Sequence, residues 1–187
     1  MAAVGTTLRQ GDTDTMTFIN TTASTGGKFL EVEAVYAPMI AVRPPVHSHP
    51  RQDEHFEVLD GELTFEVEGK RRTVVAGDDI DLPRGVLHTV WNAAPEQDVK
   101  FRWRTTPALH TEAMYEMLWG MADDGVMGRH GIPRPPLLQG ALVMFAYRQE
   151  YKLAKPPYPI LLTGCALLGT LGRLRGYSAQ RKQTVAS

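Results

Sequence analysis

Apolar and polar positions alternate through the first half of the chain. In residues 29–36, Leu30, Val32, Ala34 and Tyr36 share one face while Glu31 and Glu33 take the other, the period-two pattern of a half-buried strand. Residues 62–68 alternate likewise, with Leu63, Phe65 and Val67 on the apolar side, and Gly69-Lys70 turns the chain into a strand over 72–75. Further short strands are predicted at 39–42, 55–59, 79–82, 88–91 and 99–104. Many short strands separated by Gly, Pro and Asp, with no helical run among them, predict an all-β barrel, most simply a double-sheet jelly roll over residues 16–106. Residues 1–15 are expected to be a flexible N-terminus.

After Pro107 the period changes. Met114, Met117, Leu118 and Met121 fall at i, i+3, i+4 and i+7, which predicts a helix ending at Asp123-Asp124-Gly125. Its methionine face reads as packing surface. A Pro- and Gly-rich connection leads to a second helical stretch over 137–153, broken by Pro156, Pro157 and Pro159. The apolar run 160–172 is 13 residues long and includes Thr163 and Thr170, short of the ~18 that suggest a spanning helix. It reads as a helix packed on the barrel or on a partner; the other reading is an interfacial helix, with Arg173 and Arg175 at its edge. Packing is the expectation, because Gly164, Ala166, Gly169 and Gly172 suit close helix contact. Residues 107–177 thus form a C-terminal α-helical extension, and 178–187 a polar, disordered tail.

Charge sharpens this division. The net charge of −1 hides 20 Asp/Glu against 11 Lys/Arg in residues 1–124, and a single acid, Glu150, against nine Lys/Arg in 125–187. An acidic body with a basic end suits attraction between the two parts, or between two subunits; an anionic membrane surface is the other reading. Two-fold pairing would also cover the barrel's edge strands, so a homodimer is expected. No run of Lys/Arg exceeds the three residues Lys70, Arg71 and Arg72, and no nucleic-acid motif accompanies them, so nucleic acid is not an expected partner. The one cysteine, Cys165, excludes a disulfide framework, and residues 1–15 lack the features of a secretory signal; a cytoplasmic location is expected.

The candidate chemistry lies in four residues. His47 and His49 are two apart, so on an extended strand both rings project from one face, as a shared metal ion needs. Glu54 follows near the start of the next strand, and His88 lies on another. Three imidazoles and a carboxylate suit one divalent transition metal: Fe, Mn, Ni, Cu, Co or Zn. His55, His110 and His130 read as surface or packing histidines.

The spacing His47-Ser-His49, four residues, Glu54, six residues, Gly61 resembles the first motif of the cupin superfamily. The spacing Gly77, five residues, Pro83-Arg84-Gly85, two residues, His88, three residues, Asn92 resembles the second. One departure is Ala41, where the family usually has a glycine six residues before the first histidine. The resemblance implies a single-domain cupin barrel with the metal inside it, ligated by His47, His49, Glu54 and His88. The segments around Thr25-Gly26-Gly27, residues 44–47 and residues 57–61 are similar to single-domain cupins that include bacterial quercetinase-type dioxygenases. Gly61, Gly77, Pro83 and Gly85 read as turn residues that aim the ligands, and Asn92 as either a partner behind the ligands or a strand terminator.

If His47 faces inward, parity turns Arg43 inward too, making it a candidate catalytic anchor for a substrate carboxylate or enolate oxygen. Tyr36, Phe56, Phe65, Phe101 and Trp103 are candidate walls for a small-molecule substrate. Glu54 is both a candidate ligand and a candidate general base. The expected function is a metal-dependent oxidoreductase of dioxygenase type acting on a small enolised or aromatic substrate. The alternatives are a non-redox isomerase or lyase, or a non-catalytic binding protein on the same fold.

Overall fold

The computed structural model describes residues 2–10, 14–38, 44–123 and 135–180. The predicted strand over 39–42, Arg43, His130 and all but the start of the polar tail lie outside these residues. Two antiparallel sheets carry the fold. One has the order β1 (Thr7–Gln10), β2 (Asp14–Asn20), β3 (Leu30–Tyr36), β10 (Val99–Thr106), β5 (Asp53–Asp60), β8 (Asp79–Leu82). The other runs β11 (Lys152–Leu153), β4 (His47–Ser48), β9 (His88–Trp91), β6 (Glu62–Val67), β7 (Lys70–Val75). Their facing sides meet in one core of Ala34, Phe56, Val58, Leu63, Phe65, Val74, Ile80, Leu82, Val90, Val99 and Phe101. This is the jelly-roll barrel that the alternation predicts, and each fully buried large side chain in it contributes roughly 1.5–3 kcal/mol.

Gly61 sets the hairpin between β5 and β6. Its φ is +76°, and a Cβ there would stand 2.7 Å from the Asp98 carbonyl oxygen, so the turn excludes any larger residue. Asn92 closes the connection from β9 to β10: its Nδ2 donates to the carbonyls of Tyr36 (2.9 Å) and Gln97 (2.7 Å), and its Oδ1 accepts from the Ala94 amide (2.9 Å). It is therefore a strand terminator with no contact to the histidines in that network.

The helical extension comprises α1 (Thr111–Asp123), α2 (Leu137–Ala146) and α3 (Tyr158–Leu174). α1 buries Met114, Met117 and Met121 against Met16, Phe18, Leu30 and Val32, so the inward face of β3 serves two cores: Ala34 faces the barrel, Leu30 and Val32 the helix. Gln52, fully buried, fixes the start of α1 through Nε2 contacts to the carbonyls of Pro107 (2.8 Å) and Ala108 (3.1 Å) and to Thr111 Oγ1 (2.7 Å). α3 lies on α2, rather than on the barrel or a partner, through Cys165, Gly169 and Gly172; of the small residues expected to make close contact, Gly164 faces away from α2. A Cβ on Gly169 would stand 3.1 Å from Leu142 Cα, and one on Gly172 2.9 Å from the Leu138 carbonyl oxygen.

Two elements differ from expectation. Within the segment read as a flexible N-terminus, Thr7–Gln10 forms β1, paired with β2 from Thr7↔Thr17 to Gln10↔Asp14. The second helical stretch ends at Ala146, not Leu153, because the chain turns and Lys152 and Leu153 pair with Ser48 and His47 as β11. Among the described residues no helix is long and apolar enough to cross a membrane.

Candidate metal centre

β4 delivers His47, and His49 follows it; β9 delivers His88 opposite His47, and β5 delivers Glu54. One ring nitrogen from each histidine lies within 4.8 Å of the others. Glu54 Oε2 lies 3.2 Å from His49 Nε2 and 3.0 Å from His88 Nε2. All four side chains are buried. The structure thus brings together the four residues that the spacing singled out.

The other ring nitrogens fix the chemistry of these. His47 Nδ1 bonds the Pro45 carbonyl (2.9 Å), His49 Nδ1 the Glu150 carbonyl (2.6 Å) and His88 Nδ1 the Val86 carbonyl (3.1 Å). A carbonyl oxygen only accepts, so Nδ1 carries the hydrogen in each ring and Nε2 presents a lone pair. His47 and His88 find their acceptors two residues upstream on their own chain segments. His49 takes its acceptor from the extension, 101 residues away.

Burial lowers the His47 pKa to about 3, with repulsion from His88 and His49 adding to it, and burial lowers that of His49 as well. For Glu54 burial acts the other way, but the facing imidazoles of His49 and His88 outweigh it and hold the acid at about 2. At neutral pH His47 and His49 therefore present neutral imidazoles and Glu54 an ionised carboxylate. His49 Nε2 and Glu54 Oε2 are both buried without a hydrogen-bond partner although they face each other. Two lone pairs at that distance repel unless a cation lies between them, and a divalent metal fits this donor set.

Glu54 Oε1 is held differently: Trp103 Nε1 donates to it at 2.9 Å. The register explains the contact. Trp103 pairs with Phe56, and Glu54 lies two residues before Phe56 on the same face, so the indole reaches diagonally to the carboxylate. Tyr151 stacks on His47 with ring centroids 4.4 Å apart and planes at 23°. Its phenol is pushed well above the usual range by burial and by the nearby Glu54 charge.

The histidines open onto a cavity of about 430 Å³. Of the predicted walls, Tyr36 and Trp103 line it, whereas Phe56, Phe65 and Phe101 fill the barrel core instead. Much of the remaining wall comes from the extension, with Met114, Tyr115, Leu118 and Trp119 from α1, Val143 and Met144 from α2, then Tyr151, while Gln10, Asp14, Met16, Pro44, Pro45 and Val90 line it from the barrel side. No Lys or Arg lines it among the described residues; Arg43 lies outside them.

The family described as a cupin domain matches residues 39–104, the stretch holding all four of these side chains. The chain carries a cupin domain. A protein of Arthrobotrys oligospora named as an oxidoreductase is 26% identical over 92 residues, covering 46% of this chain and 36% of that protein. The chain thus spans little more than a third of the length of the curated relative it matches. Among solved structures, KdgF from a Halomonas species is similar at 17% identity and a TM-score of 0.47, over 57% of this chain and 92% of that one. An RmlC-like cupin from Shewanella frigidimarina is similar at 18% identity and 0.47, over 58% and 88%. A predicted oxalate decarboxylase from Thermotoga maritima is similar at 22% and 0.46, over 50% and 80%. Outside the cupin domain, sequence reasoning missed the Glu150 carbonyl, the Tyr151 stack and β11. The only sequence signal for them is Glu150 itself, the single acid in a basic segment.

Proposed function

We propose that the protein is a metal-dependent oxidoreductase of dioxygenase type, acting on a small, mainly apolar substrate that is aromatic or enolised. The observation that carries this reading is the set of three imidazoles with hydrogens fixed on Nδ1, facing a buried carboxylate at one wall of an aromatic- and methionine-lined cavity. The oxidoreductase name of the Arthrobotrys oligospora relative supports the reaction class.

His47, His49, Glu54 and His88 would hold the ion through the three Nε2 atoms and Glu54 Oε2. A redox-active divalent metal supplies Lewis acidity towards a substrate oxygen and an electron path to dioxygen. The protein does the rest. Trp103 anchors Glu54 by Oε1, so the carboxylate keeps its place if Oε2 loosens from the ion, and Oε2 would then be free to take a proton from a substrate hydroxyl. Tyr36, Trp103, Trp119 and Met144 exclude water and orient a flat apolar ring towards the histidines. Arg43, one residue before the cavity-lining Pro44, remains the proposed anchor for a substrate oxyanion.

The deciding experiment is oxygen consumption by the Fe(II)-loaded chain against a panel of flavonols and catechols. Substrate-dependent uptake that disappears in Glu54→Gln is the expected result. Stoichiometric metal with no uptake across the panel would instead favour a non-redox isomerase or lyase.

A further inference from the structure

α3 has one apolar face too many. Its small face, Cys165, Gly169 and Gly172, is spent on α2. Ile160, Leu167, Leu171 and Leu174 recur at steps of seven, four and three, which places them along a single stripe on the opposite side. Their exposures are 68%, 70%, 41% and 81%, values that a buried or partnered leucine does not have. Gly164 lies within the stripe, and a Cβ added there would meet nothing within 4 Å, so the face is open along its length.

The charged side chains that flank this stripe along the chain are all of one sign. Residues 151–180 hold no Asp or Glu, while Lys152, Lys155, Arg173 and Arg175 are cationic. Arg173 closes the last turn of α3 and Arg175 caps it. We propose that α3 is an in-plane anchor for an anionic lipid bilayer, its leucine stripe entering the headgroup boundary and its flanking lysines and arginines lying among the acidic headgroups.

Charge and area both favour this occupant over the α3 of a second copy. Two α3 helices stacked on each other would bring cations together with no acidic partner. At the transfer coefficient, four such side chains cover about 60–120 Å² each, roughly 240–480 Å² in all. A stable pair buries about 800 Å² per partner. Lipid needs no such area and supplies the missing anions.

The test is flotation of the full-length chain with vesicles of pure phosphatidylcholine and of phosphatidylcholine with 30% phosphatidylglycerol. The chain should float with the anionic vesicles only, and less so at high salt. Leu167→Gln with Leu174→Gln should lower the partition coefficient about a hundredfold, while metal content and far-ultraviolet circular dichroism stay unchanged. Retention of the metal in that variant separates loss of the anchor from loss of the fold. No flotation by the parent chain would overturn the proposal, as would a homodimer in light scattering that the same two substitutions convert to monomer.

Discussion

The main-chain carbonyl of Glu150 accepts a hydrogen bond from Nδ1 of His49 at 2.6 Å. A residue of the helical extension thereby sets the ring of a histidine in the barrel. The Glu150 side chain, 1% exposed, is itself tied down: its Oε1 accepts from the His110 amide at 3.2 Å and lies 3.0 Å from His110 Nδ1 at the start of α1. Partners behind a ligand typically contribute 10- to 100-fold to metal affinity. Glu150→Ala should therefore weaken metal binding by about tenfold, whereas Glu150→Gln, which keeps an acceptor for the amide, should stay close to the parent. Titration calorimetry checks both; equal affinities in the two variants would detach Glu150 from the site.

Removal of one ligand leaves an incomplete donor set. His49→Ala should take metal content, measured by mass spectrometry on protein purified without chelators, from roughly one equivalent to a small fraction of that. Unchanged content would remove His49 from the ligand set.

The protonation states give a pH signature. The folded-state pKa of His47 is about 3 against an ordinary value of 6.5, and His49 is lowered too, so below 6.5 the unfolded chain binds protons that the folded chain refuses. Stability of the metal-free protein is thus full above pH 6.5 and falls as the pH drops from there towards 3. Melting temperature should decline through that window, and His47→Leu should flatten the decline. At pH 7 neither His47 nor His49 should release a proton on metal uptake, which calorimetry in buffers of different ionisation enthalpy checks.

One substitution should have opposite effects at two points of α3. Gly172→Ala puts a methyl 2.9 Å from the Leu138 carbonyl oxygen and should cost about 1–3 kcal/mol. Gly164→Ala meets nothing within 4 Å and should stabilise by roughly 0.5–1 kcal/mol. Chemical denaturation of both variants checks the sign. Destabilisation of similar size at Gly164 would mean that the outer face of α3 is already covered.

The histidines were legible because strand parity is a rule of two: residues two apart share a face whatever surrounds them. Glu54 and His88 came with the motif spacing. Glu150 was not legible as a partner, since the group that matters is a backbone carbonyl and every residue has one. β11 was hidden by a coincidence of period. Val143, Tyr147 and Tyr151 continue at steps of four, so the helical stripe runs on in the sequence although the chain has left the helix to pair with β4. β1 offers only Leu8 as an apolar position, and its form comes from pairing with β2. The barrel aromatics do face inward, but direction alone does not tell core from cavity. That division depends on where α1 and α2 lie.

β11 also bears on how such a molecule can change over evolutionary time. The last strand of the five-stranded sheet comes from beyond α2, and the next residue, Ala154, donates its amide to the Val46 carbonyl at 3.0 Å. Barrel and extension are thus stitched, not appended. An ancestor that exchanged its C-terminal helices for others would lose the edge strand beside His47, the acceptor behind His49 and one wall of the cavity at the same stroke. Such a swap is not a change of accessory but a rebuilding of the centre, so novelty in this chain has to come residue by residue.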